Sequence, residues 1–144
     1  MGHPACPLVP VSWGELLDKI TILEIKRERI EDTAARANVA RELAALRDIA
    51  REALVGEDVV RVFAQLKLVN ETLWDVEDAI RQEEARGVFG AEFVRLARAV
   101  YHRNDERAEL KRAINKLLQS ELVEEKSYWS QSEPRPPAAQ PVPG

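Results

Sequence analysis

Cysteine is nearly missing from this chain: Cys6 stands alone among 144 residues. No intramolecular disulfide can form, and no cysteine cluster exists to hold zinc. Glycine is scarce as well, with six residues, too few to supply the turns of a β protein of this length. Positive charge is not in excess. The formal net charge is −4, so the overall field does not recruit nucleic acid. No apolar run approaches the roughly 18 residues of a membrane-spanning helix, and the N-terminus lacks a basic segment followed by an apolar stretch. A reducing cytoplasm is therefore the expected setting, with no nucleic-acid or membrane partner.

What is abundant points to helices. Leu, Ala, Arg and Glu dominate, all of them good helix formers. Hydrophobic residues make up 45% and charged residues 32%, a globular balance. A chain of this length is enough for one domain and a core that needs no staple. The expected fold is all-α, an antiparallel bundle of about four helices. An extended leader spans 1–11, the helical domain 12–128 (with a short C-terminal strap), and a disordered tail 129–144 that holds five of the eight prolines.

Start and stop signals divide the domain. Ser12 with Glu15 three residues on forms a capping box, and Val11 and Leu16 can close a hydrophobic staple. The first helix should run from there to about Glu31. Asp32 or Thr33 caps a second helix, with Val39, Leu43, Leu46, Ala50 and Leu54 at seam spacing and Gly56 as its stop. Asp58 is the expected cap of a third helix, ended by Gly87. A fourth begins near Ala91. Residues 57–86 carry eight acids against four bases, and 92–116 four acids against seven bases. Opposite signs suit these two helices as neighbours.

The apolar pattern breaks on the fourth helix. At 100° per residue, Leu96, Ala97 and Val100 share a face with Phe93, but so do Asn104, Arg107 and Lys111. For about two turns the core face is polar. Asn70, Glu77 and Arg81 interrupt the third helix in the same way, with Trp74 beside them, and Glu24 and Arg27 interrupt the first. Tyr101 sits at the edge of the fourth helix's face. Buried polar groups require partners, and the inward-facing count is four bases (Arg27, Arg81, Arg107, Lys111) against two acids (Glu24, Glu77). An acid or an anion is needed. Either Glu124 and Glu125 fold back, or Asp18 and Asp78 bend in, or an anionic small molecule such as a phosphate or carboxylate sits between helices three and four. The candidate site is accordingly Glu24, Asn70, Trp74, Glu77, Arg81, Tyr101, Asn104, Arg107 and Lys111.

Ile22 and Ile25 lie opposite the Leu17 and Ile20 face, so the first helix is apolar on two sides. It is either the central helix, or Ile22 and Ile25 form a dimer face. Glu15-x-x-Asp18 and Asp75-x-x-Asp78 loosely resemble the magnesium-binding pairs of helical NTP pyrophosphohydrolases, but short acidic patterns recur by chance among 25 acids. No metal or cofactor is predicted.

The strings GELLDKITILEIK at 14–26, LWDVEDAIR at 73–81, ARAVYHRNDERAELKRAIN at 97–115 and VEEKSY at 123–128 resemble a family of uncharacterised bacterial proteins, catalogued only as a domain of unknown function. The resemblance implies a small helical protein and no established activity. The leading expectation is a non-enzymatic helical interaction or assembly module, bound to a protein partner or to itself with coiled-coil-like packing. The alternative is a protein or enzyme that holds an anionic metabolite between helices three and four.

Overall fold

A computed structural model describes residues 2–120. Four helices are present among them and no strand: α1 (Trp13–Arg29), α2 (Thr33–Ala50), α3 (Glu57–Arg86) and α4 (Ala91–Leu117), with a single 3-10 turn at Ala53–Val55. None is long and apolar enough to cross a membrane. Residues 2–11 lie outside any helix and are exposed. The expected strap, the Pro-rich tail and Glu124 and Glu125 lie outside the described residues.

Local chemistry sets the helix ends. Ser12 caps α1, its hydroxyl accepting from the Glu15 N–H at 3.1 Å, and Asp32 caps α2 by accepting from the Ala35 N–H at 2.8 Å. Gly87 closes α3 in the left-handed region (φ 68°), where a side chain would be strained. Three boundaries differ from the sequence reading. The first helix stops at Arg29, two residues early. Gly56 does not end α2, which finishes at Ala50. Instead Gly56 is the N-cap of α3, which leaves Asp58 inside the first turn, paired with Arg61 at 3.2 Å. An acid there still favours the positive end of the helix dipole.

The core decides which helix is central. Leu16, Leu17, Ile20 and Leu23 of α1 cluster with Leu43 and Ala50 of α2, Val59, Val62 and Leu66 of α3, and Ile114 of α4. Every other helix packs on α1, so its two apolar sides are both used within one chain. Ile25 is fully buried and offers no surface to a second copy, which removes it from the proposed dimer face. Ile22 is half-buried.

The helices differ widely in length. At 1.5 Å per residue, α1 spans about 25 Å, α3 about 45 Å and α4 about 40 Å. The α3–α4 hairpin therefore extends well past its central support. Between Val76 and Arg103, Leu96 alone is buried, whereas the lower halves of the same helices bury Val59, Val62, Leu66, Asn70, Leu73, Ala108, Lys111, Ile114 and Asn115.

Candidate functional site

The N-terminal turn of α1 is docked on the C-terminal turns of α4. Trp13 donates its N–H to the Ser120 hydroxyl at 2.8 Å, and Gly14 donates to Asn115 Oδ1 at 2.7 Å. Two N–H groups that a helix leaves without an internal partner are thus satisfied by side chains at or just beyond the end of α4. The approach requires glycine. A Cβ at position 14 would stand 2.4 Å from the Lys111 carbonyl oxygen. These amides are taken, so the start of α1 is a joint in the fold.

One turn deeper lies a buried polar cluster. Asp18 is 1% exposed. Arg107 grips it side-on, Nε to Oδ1 at 2.9 Å and Nη2 to Oδ2 at 2.5 Å, the bidentate geometry that makes guanidinium–carboxylate pairs strong. Asn70 donates to Asp18 Oδ1 at 2.9 Å and to the Thr21 hydroxyl at 2.7 Å, and Thr21 in turn donates to the Asp18 carbonyl at 2.7 Å. Lys111, also buried, reaches Glu15 Oε2 at 2.8 Å. Among the described residues no buried side-chain nitrogen or oxygen lacks a partner.

Two expectations change here. The Glu15 carboxylate pairs with Lys111 instead of turning back to close the capping box. The core-face cations also find acids among the described residues: Asp18 and Glu15, both from α1, pair with Arg107 and Lys111. Asp18 is one of the expected sources, whereas Glu15 is not among them and reads in sequence chiefly as a cap. The same two pairings account for Glu15-x-x-Asp18, whose carboxylates face cations from α4.

Beside the cluster, α1, α3 and α4 enclose a cleft of about 460 Å³. Of the nine candidate residues, Asn70, Trp74, Glu77, Arg81, Asn104 and Arg107 line it, with Ile22, Ile25, Leu73 and Asp78. Arg81 is exposed and pairs with Glu77 at 3.7 Å, so it stands at the mouth and not in the core. Asp78 is likewise at the rim and does not bend into the core. Trp74 and Asn104 are half-buried, and neither side chain makes a hydrogen bond among the described residues.

The other three candidates lie elsewhere. Lys111 sits a turn beyond Arg107, against Glu15. Tyr101 is about half exposed and accepts from Arg98 Nε at 3.3 Å. Glu24 faces the opposite flank of α1, where it accepts from Arg47 of α2 and lies 3.5 Å from Lys67 of α3. Lys67 also donates to Glu28 at 2.7 Å. That bond holds the Glu28 carboxyl below the usual glutamate range and raises the Lys67 ammonium above the usual lysine range.

Asp18, Thr21, Gly14, Asn115 and Ser120 are not among the nine candidates. A signal for the first three is present in the sequence. Gly14, Asp18, Thr21 and Ile25 recur at intervals of three or four, one continuous face of α1, and tracing the Ile22–Ile25 side backward reaches them. Asn115 and Ser120 carry no such signal, because what selects them is the approach of a glycine 101 residues away from Asn115.

A model of a family described as a family of unknown function (DUF6165) matches residues 8–140. No curated protein and no solved structure matches the chain.

Proposed function

We propose that this chain, which belongs to that family of unknown function, is a helical binding module whose α1–α3–α4 cleft holds a small polar molecule. The observation that carries the reading is that two half-buried residues lining one cleft, Trp74 of α3 and Asn104 of α4, have side chains with no hydrogen bond within the described residues. Small-molecule sites combine apolar walls with a few placed polar groups. Ile22 and the Trp74 ring supply the walls, with Leu73 and the buried Ile25 behind them. Asn104 and Trp74 supply the hydrogen bonds, and Arg107, oriented by Asp18, stands at the inner end.

Charge narrows the ligand class. Arg107 is offset by Asp18 and Arg81 by Glu77, while Asp78 adds a carboxylate at the rim. The balance does not favour a simple anion. A neutral or zwitterionic molecule with one flat face suits it: the face against Trp74, an anionic group toward Arg81 and Arg107, a cationic one toward Glu77 and Asp78.

A thermal-shift panel tests this with free amino acids, amino sugars, sugar phosphates, aromatic carboxylates and nucleotides. A ligand at a hundredfold excess over its dissociation constant stabilises the fold by about 2.7 kcal/mol. The shift should come from a zwitterionic or neutral member and should vanish in Asn104→Ala, whose own melting temperature stays near that of the parent. A silent panel, or a shift that survives Asn104→Ala and Trp74→Leu, counts against the cleft.

A further inference from the structure

The hairpin beyond α1 poses a separate question. A helix pair covers each member on one side only, and bundles achieve closure by adding two more helices. The stretch from Val76 to Arg103 buries Leu96 alone. It leaves Val88, Phe89, Val94 and Tyr101 each about half exposed. Val94 and Tyr101 are seven residues apart, hence on one face of α4 two turns from each other, and Arg98 lies between them. Phe89 stacks edge-on against Phe93 with ring centroids 5.2 Å apart, which carries the apolar surface to the tip.

Charge says what covers this surface. Residues 75–86 of α3 include Asp75, Glu77, Asp78, Glu83 and Glu84 against Arg81 and Arg86, whereas residues 91–103 of α4 include Arg95, Arg98 and Arg103 against Glu92. One hairpin therefore presents an acidic helix beside a basic one. A surface of that kind is complementary to itself under a two-fold rotation, which lays the acidic helix of one copy along the basic helix of the other. Like-charged partners are rejected by the same arrangement.

We propose that the distal α3–α4 hairpin is a self-association surface, on which a second copy of this chain completes a four-helix bundle. Val94, Tyr101 and Phe89 form its apolar contact. Asp78 and Glu84 on α3, against Arg98 on α4, set its orientation. The surface is separate from the Ile22–Ile25 side of α1, where Ile25 is fully buried and Ile22 half-buried beside the cleft.

Sedimentation equilibrium of the full chain over a range of micromolar concentrations tests the proposal. The expected result is a dimer that weakens as salt rises. Val94→Glu with Tyr101→Glu should yield a monomer of unchanged helical circular dichroism, since both side chains are already half exposed. Asp78→Lys and Arg98→Glu should each raise the dimer dissociation constant about tenfold or more. The two reversals together should recover most of that loss, a rescue that mere destabilisation of the hairpin would not give. A parent chain that stays monomeric throughout overturns the proposal and leaves the face to a different occupant. So does a dimer indifferent to all four substitutions.

Discussion

The two ends of the α3–α4 hairpin are made from the same helices and differ in nearly everything else. At the base, α1 lies against both, and the contact buries charge: Asp18, Arg107 and Lys111 are held with Asn70 and Thr21 in a polar cluster. At the distal end no third helix is present among the described residues. Ion pairs there run along one helix, as in Arg95–Glu92 and Arg86–Glu83, and side chains meet solvent. A buried pair is expensive to break because each half is left without water, while an exposed pair one turn apart contributes little. The base is thus the part that specifies how three helices meet, and the distal hairpin is the part left available for contact.

The strongest way to break this comparison is to remove one carboxylate from each end. Asp18→Ala removes the buried carboxylate that Arg107 and Asn70 share, and unfolding by denaturant should show a loss of about 3–5 kcal/mol. Asp78→Ala removes an acid at the cleft rim and should stay within about 0.5 kcal/mol of the parent. Equal losses at the two positions would mean that the base cluster is not the seat of stability.

A smaller effect tests the joint between α1 and α4. Gly14→Ala forces a methyl group toward the Lys111 backbone, which cannot swing aside as a flexible side chain could. The helix has to shift, at a cost of about 1–3 kcal/mol, read as a fall in melting temperature. Gly90→Ala, at the hairpin tip where a Cβ meets nothing within 4 Å, is the control: it loses only glycine's advantage over alanine at the N-cap of α4, so its melting temperature should fall by less.

The smallest effect is a pH dependence at the flank of the base. The Glu28 carboxyl is held below its usual range by Lys67. A depressed acid contributes stability above its unfolded-state value and loses that contribution as pH falls through the folded-state value. Acidification below the usual glutamate range should therefore remove the contribution, and Glu28→Gln should abolish that part of the acid-side slope. The pair is solvent-screened, so the difference between the two denaturation curves should stay at about 1 kcal/mol or less.

Much of the fold is legible in residue order. Periodicity and caps locate four helices because both act within a few residues: Ser12 and Asp32 accept from N–H groups three positions away, and Gly87 takes a backbone angle that other residues resist. The inward polar face of α4 is equally local, a matter of counting 100° steps from Phe93 to Asn104 and Arg107. Six of nine candidate residues consequently share one cleft.

What residue order could not decide is which partners meet across the bundle. Glu15 reads as a cap by its spacing from Ser12, yet its carboxylate goes to Lys111, 96 residues on. Arg81 reads as inward by its wheel angle, yet it is exposed because α1 does not cover that turn. Ile25 fits an interface or a core equally well until α3 and α4 are placed around it. Helix identity follows from near neighbours in the chain, so the sequence by itself determined it. Neutralising a buried charge depends on how close two distant helices can come. Here that distance was set by a glycine with no side chain, and only the tertiary packing chose Asp18 for Arg107.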